Sequence, residues 1–281
     1  MGQRMARNLL KHQPINIYNR TKEKGRDLVD QGATWYDTPK DLARASSLIL
    51  IMVTDDNALR DVIRGDHGVL QGIQPDSLVL DHSTLSPKTT REMASLVEGK
   101  GCWWADAPVT GGDVGAENGT LTIMVGARRQ DFERIEPYLR QMGQRILHVG
   151  ELGQGQTLKL VSNMVSSLNL MAAAEGLQFA MNRGLGLEDI ETVMSFGSAQ
   201  SYELTKMLER LKKNDYTPGF SVANRLKDFR LAIELAEQTE FSADLGRCAL
   251  PLYQEHAEQG FRDEDESSYI KRWNSGGRHS S

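Results

Sequence analysis

Cysteine is scarce in these 281 residues: Cys102 and Cys248 are the only two, too far apart to make a disulfide framework. Long apolar runs are missing too. The longest, around Ser47 to Val53, falls far short of the roughly 20 residues a membrane-spanning helix needs. Positive charge is not in excess either. A net charge of -5 and a pI near 5.8 supply no attraction for nucleic acid or anionic membrane, so neither is expected as a partner. No stretch at the N-terminus reads as a signal peptide, which points to a reducing, cytoplasmic setting. No internal repeat suggests a solenoid, and no metal site is expected. What is present is ordinary globular material: 39% hydrophobic residues, enough for one large or two medium domains with sizeable cores.

From Gly2 to about Gly150, short apolar runs alternate with helical patterns, the rhythm of βαβ units in a parallel sheet. Strands are predicted at Ile15–Tyr18, Ser47–Val53, Ser77–Asp81, Cys102–Ala107, Thr120–Val125 and Ile146–Val149. Thr38 in "TPKDLARA" and Ser86 in "SPKTTREMASLVEGKG" each precede a proline and predict helix starts. The run Leu48 to Val53 is apolar throughout, as suits a strand buried on both faces. After Gly155 the character changes. "QTLKLVSNMVSSLNLMAAAEGLQFAMNRG" has no proline and places Val161, Met164, Val165, Leu168, Met171 and Ala172 at helical spacing, a helix of roughly 40 Å at about 1.5 Å per residue. No strand signal recurs beyond it. The glycine-rich "GELGQGQ" predicts a boundary between an α/β domain at 1–150 and an all-α domain at 151–281, and the tail "NSGGRHSS" reads as disordered.

The first residues, "MGQRMARNLL", raise a separate question. A glycine that opens a helix, followed by a short strand ending in Asn19-Arg20-Thr21, reads as the back half of a Rossmann-type dinucleotide site. Gly2 fits the third glycine of its fingerprint, with Met5, Ala6, Leu9 and Leu10 as the buried stripe behind it. The expectation is a protein that starts about ten residues earlier, with an apolar strand and the first two glycines. At the end of the next strand an acid would accept the ribose hydroxyls of NAD; Arg20 instead suits the 2′-phosphate of NADP, although by itself it is equally a solvated turn residue.

Two stretches are more specific. "DAPVTGGDVGAENGTLTIMVG", Asp106 to Gly126, joins two strands through a glycine-rich loop whose N–H groups beside Thr110 form a nest suited to a carboxylate, though such glycines also simply make turns. "GQGQTLKLVSNMV" sets Lys159 and Asn163 four apart on one helix face. A lone lysine at a helix start is commonly surface decoration. Beside Leu158, Leu160 and Val161, partial burial would lower its proton affinity and suit it to acid–base work. His82 reads as a packing or surface residue, and "DEDESSYIKRW" at Asp263–Trp273 says little about substrate.

Taken together, "YNRT", "DHSTLSP", the Asp106–Gly126 stretch, "KLVSNMV" and "YTPGFSVANRLKDFRLAIELA", with the start at Gly2, resemble the β-hydroxyacid dehydrogenase family over nearly the whole chain. The resemblance implies a Rossmann-type doubly wound α/β domain followed by an all-α domain, joined by a long interdomain helix. It implies hydride transfer between NAD(P)(H) and a small 3-hydroxy acid or semialdehyde, with NADP favoured and NAD the alternative. It assigns Lys159 as catalytic acid/base with Asn163 orienting substrate, and Thr110, Gly111 and Gly112 as the carboxylate loop. Gly2, Asn19, Arg20, Thr21, Thr84 and Lys227 would contact cofactor, with Asp228 as a local orienter. Substrate would lie in the cleft between the domains of a dimer or tetramer. Two relatives fit less well: 6-phosphogluconate dehydrogenases, which resemble K-x-x-H-N where Ser162 stands here, and imine reductases, which usually lack the lysine. A truncated, non-catalytic binding or scaffold protein is the alternative from another class.

Overall fold

The computed structural model describes residues 1–273; the tail expected to be disordered, 274–281, lies outside the described residues. The chain divides into two compact units, Met1–Lys159 and the remainder from Leu160. In the first, the elements run α1 (Gly2–Leu10), β1 (Asn16–Ile17), α2 (Arg26–Asp30), β2 (Thr34–Trp35), α3 (Pro39–Arg44), β3 (Leu48–Ile51), α4 (Asp56–Arg64), β4 (Leu78–Asp81), α5 (Pro87–Glu98), β5 (Trp103–Asp106), β6 (Val109–Thr110), α6 (Gly112–Asn118), β7 (Leu121–Gly126), α7 (Arg129–Leu139) and β8 (Gly143–Gly150). The long helix α8 (Gln154–Asn182) begins in this unit and continues into the next.

Helix starts follow the side chains that can satisfy free N–H groups. Thr38 accepts from the Asp41 N–H and Ser86 from the Thr89 N–H, both at 3.0 Å and both ahead of a proline. Asp55, which the sequence reading passed over, caps α4 through the Ala58 N–H at 2.9 Å.

Two sheets form. β1 and β2 make a parallel pair, and six strands make the second sheet in the order β3-β4-β5-β7-β6, with β8 on β7. Pairing is parallel through β3, β4 and β5 and again between β7 and β8, but β7 runs antiparallel to β5 and β6. The sheet is therefore mixed where a parallel one was expected, because the short β6–α6 excursion returns β7 against the strand it left. Burial on both faces is realised on β4, whose four residues are all buried between β3 and β5. At β3, on the end of the sheet, burial alternates: Ile49 and Ile51 are buried, Leu48 and Leu50 only partly.

Helices cover both faces. Leu78, Leu80 and Ala105 pack with Met5 and Leu9 of α1 and Phe132, Ile135 and Leu139 of α7; Ile49, Ile51, Val79 and Trp104 pack with Leu59, Ile63, Met93 and Val97 of α4 and α5. Alternate residues of one strand thus feed two cores.

The second unit adds α9 (Leu187–Phe196), α10 (Tyr202–Lys213), α11 (Val222–Gln238) and α12 (Asp244–His256). Its core holds Leu170, Ala174 and Leu177 of α8 with Leu204, Phe229, Tyr253 and Tyr269. Of the apolar stripe expected on α8, Met171 is buried and Met164 and Leu168 partly so, but Val161 and Val165 are 45% and 50% exposed and Ala172 is exposed as well. The helix is apolar on more than one face, so spacing alone could not say which face the core takes.

Candidate active site

The last residues of β4 and β5, Asp81 and Asp106, are register partners, and both carboxyls are fully buried. Asp81 Oδ1 accepts the Ser83 N–H at 3.0 Å, and Ser83 Oγ accepts the Val53 N–H at 2.9 Å, so the turns after β3 and β4 are tied together. Burial pushes the Asp81 carboxyl up to about 7. Between them, His82 donates from Nδ1 to the Ala107 carbonyl at 2.7 Å; burial holds its pKa down to about 4, so it is a neutral packing residue.

Asp106 faces the start of α8. Its Oδ1 accepts the Gly153 N–H and its Oδ2 the Gln156 N–H, each at 2.7 Å, placing a carboxyl where a helix start has free donors. Burial still lifts this carboxyl to about 6 against those two bonds. The approach needs glycine. A Cβ on Gly155 would stand 2.4 Å from the Met124 carbonyl oxygen and 2.7 Å from Asp106 Oδ2, and one on Gly126 would stand 2.5 Å from Asp106 Oδ1. Lys159 follows one turn later and is 8% exposed. Sequence reading missed Asp106 and Gln156 as parts of this arrangement; the signal available was an acid closing a predicted strand ahead of "GQGQ".

The loop expected to hold a carboxylate begins where β6 ends. Thr110 pairs with Thr122, and Gly111 and Gly112 follow with φ of +129° and +62°, exposed, before α6. Asn8 of α1 donates to the Ala116 carbonyl at 2.7 Å and so fastens α6 to α1. At the other end of α1, a Cβ on Gly2 would lie 3.3 Å from Met52, so the first helical turn packs closely on the chain leaving β3. No side chain caps that turn. Asn19, Arg20 and Thr21 are exposed just after β1, with Asn19 donating to the Thr21 carbonyl at 2.8 Å; Thr84 is half-buried after β4.

Three of the expected residues meet within the second unit. Asn163 Nδ2 donates to Asp228 Oδ2 at 2.7 Å, and Lys227 Nζ lies 2.9 Å from Asp228 Oδ1. Asp228 therefore orients both neighbours. Among the described residues, no helix is long and apolar enough to cross a membrane, and no group of three His, Cys, Asp or Glu is placed to hold a metal ion.

A helix N-terminus without a side-chain cap and a half-buried threonine at the carboxyl ends of parallel strands, with a buried lysine in the second turn of α8, suit a dinucleotide-dependent α/β enzyme. Comparison with known proteins narrows this. Residues 1–150 match the family model for the NAD binding domain of 6-phosphogluconate dehydrogenase, and residues 153–273 match the model described as NAD-binding of NADP-dependent 3-hydroxyisobutyrate dehydrogenase. The chain is 33% identical to 2-(hydroxymethyl)glutarate dehydrogenase of Eubacterium barkeri, covering 97% of this chain and 91% of that one. It is 32% identical to 3-hydroxyisobutyrate dehydrogenase of Pseudomonas aeruginosa, over 92% and 89%. Among solved structures, Psf3 in complex with NADP+ and 2-OPP superposes with a TM-score of 0.89 at 27% identity, covering 97% of this chain and 96% of that one. The chain belongs to the β-hydroxyacid dehydrogenase family, NAD(P)-dependent oxidoreductases related to 3-hydroxyisobutyrate dehydrogenase.

Proposed function

We propose that this chain interconverts a small 3-hydroxy acid and its semialdehyde, with Lys159 as the acid/base and NADP(H) preferred over NAD(H). The observation that carries the reading is a lysine buried one turn beyond a helix start that Asp106 locks onto the sheet. The relatives named for 2-(hydroxymethyl)glutarate and 3-hydroxyisobutyrate support the substrate class. Gly2, Asn19, Arg20, Thr21, Thr84 and Lys227 would hold the cofactor, with the uncapped first turn of α1 taking the pyrophosphate. The nicotinamide supplies or accepts the hydride when bound. Lys159 as ammonium protonates the developing alkoxide in reduction and, as neutral amine, takes the hydroxyl proton in oxidation. Thr110 Oγ1 and the N–H groups of Gly111 and Gly112 anchor the substrate carboxylate and fix which carbonyl face reacts. Asn163, held by Asp228, orients the substrate.

In this reading residues 1–150 are the nucleotide-binding domain, and the chain from 151 on serves substrate and subunit contacts. It works in the cytoplasm as a dimer or tetramer, which the exposed apolar side chains Phe179, Phe196 and Leu245 support. Light scattering of the purified protein measures the subunit number.

The test is an assay with NADPH and NADH against succinic semialdehyde, glyoxylate, tartronate semialdehyde and methylmalonate semialdehyde. Lys159→Ala should lower turnover by about 10² to 10⁴ or more while cofactor affinity changes little. Retention of more than about a tenth of turnover removes Lys159 from the mechanism. Arg20→Asp should reverse a preference for NADPH, because a carboxylate repels the 2′-phosphate and accepts the ribose hydroxyls. Equal kcat/KM for both cofactors before and after the substitution ends the 2′-phosphate assignment.

A further inference from the structure

The side chain of Gln156 is fully buried, and both ends of its amide are used. Its Oε1 accepts the Leu85 N–H at 3.0 Å and its Nε2 donates to the Ser83 carbonyl at 2.8 Å. These are the two backbone groups on either side of Thr84. The amide thus grips that turn as a neighbouring strand would, offering an acceptor and a donor in one plane. A glutamate, leucine or methionine cannot make both bonds at neutral pH. The backbone N–H of the same residue goes to Asp106, which also holds Gly153. Gln156 is therefore fixed to the end of β5 by its main chain and to the turn after β4 by its side chain. Lys159 lies three residues further along α8, about 4.5 Å in rise and on a neighbouring face.

We infer that Gln156 is a positioning residue that sets the distance between Thr84 and Lys159, and so between the cofactor seat and the acid/base. The inference rests on the proposed roles of those two residues. Hydrogen bonding gives it a physical basis: two well-formed bonds to buried backbone groups leave the turn and the helix no independent slide. Losing the grip strands a buried N–H and a buried C=O, and the least costly response is movement of the turn away from α8. Reaction rates respond to such movement steeply, because a misplacement of about 1 Å can cost on the order of 10²-fold.

The test uses the full chain with Gln156→Met, which keeps volume and removes both bonds, and Gln156→Glu, which keeps the acceptor. Turnover is measured with NADPH and whichever of the four semialdehyde and glyoxylate substrates the unsubstituted chain reduces fastest. Gln156→Met should lower kcat about 10- to 100-fold with KM for the carboxylate substrate changed less than about threefold, and should raise the deuterium isotope effect of 4-deuterated NADPH. Without any cofactor, amide exchange of the peptide containing Leu85 should accelerate. In Gln156→Glu, a protonated carboxyl restores both bonds. Its kcat relative to the unsubstituted chain should therefore rise as pH falls, whereas the ratio for Gln156→Met stays flat. A kcat within about threefold of the unsubstituted chain, an unchanged isotope effect, or no acid-side recovery in Gln156→Glu overturns the inference; the last decides alone if Gln156→Met fails to fold. Lys159→Ala run in parallel separates the two failures. If it is inactive while Gln156→Met is unaffected, only the positioning inference falls; if Lys159→Ala remains active, the proposed mechanism falls and the inference with it.

Discussion

The buried carboxyls of the candidate site and those of the second unit's charged core are answered by different partners. In the first, the carboxyls of Asp81 and Asp106 bond to backbone N–H groups, and burial raises them to about 7 and about 6. In the second, Arg225 is buried against Glu203 and Glu266, Lys206 pairs with Glu266 and Asp265, and Glu203 also accepts from Ser166. Asp265 accepts the Gly219 and Ser267 N–H groups as well. A carboxyl answered mainly by dipoles is raised toward neutral pH by burial; in the second unit the directions divide, with Asp265 held below the ordinary carboxylate range by its Ser267 bonds and Lys206, and Glu203 raised by burial and by Glu266 beside it. The first arrangement makes a unit sensitive to pH around its candidate site. The second makes a unit whose buried ions depend on one another, so that losing any one partner is costly.

The comparison breaks hardest at Arg225. Arg225→Met leaves two buried carboxylates without their main counter-charge and should cost about 3–5 kcal/mol, read as a fall in the urea midpoint. A midpoint unchanged within error would mean that the second unit, too, neutralises its carboxyls by protonation. Next comes Asp81. Because its folded pKa is raised, its contribution to stability is fully present below the ordinary carboxylate range and is lost as pH rises through about 7. Asp81→Asn keeps the Ser83 bond and removes the loss, so its midpoint should gain on the unsubstituted chain between pH 5 and pH 8, by on the order of 1–3 kcal/mol. The histidines tilt the other way: His82 and His256, both lowered to about 4, contribute stability that is present above about 6.5 and lost as pH falls through about 4. A difference that stays flat with pH would show that Asp81 is ionised throughout. The smallest effect belongs to the exposed Arg129–Glu133 pair on α7, where Glu133→Gln should change stability by less than about 0.5 kcal/mol.

Much of this was readable in advance where chemistry is local. Thr38 and Ser86 cap helices because their hydroxyls precede proline and a helical pattern, and all six strands expected were found, four of them inside the expected segments; β7 runs one residue past Val125, to Gly126, and the last is longer than expected, Gly143–Gly150. β2 and β6, two residues each, carry too little pattern to announce themselves. The antiparallel turn of β7 depends on pairing across the sheet, which no window of sequence records. At the site, the spacing of Lys159 and Asn163 placed them on one helix face, and Asp228 was anticipated beside Lys227. Gln156 was not, because its function comes from a turn 71 residues away. Asp265 and Glu266 were passed over for the same reason: "DEDESSYIKRW" looks like solvated charge until Lys206, Arg210 and Arg225 are brought to it.

The late position of Glu266 bears on how the protein is made. A ribosome delivers α8 through α12 before it delivers residues 265–270, so for that interval the helical unit lacks Glu266, Tyr269 and Ile270. Arg225 then keeps Glu203 but not Glu266 of its two ion-pair partners among the described residues, and the core is open where Tyr269 later stacks on Tyr253. The sheet unit ends at Lys159 and is synthesised whole well before that stretch, so it can begin to close first. Nascent chains released at successive lengths should therefore gain protease resistance in two steps, the second only after the codons for Glu266 to Ile270 have been read.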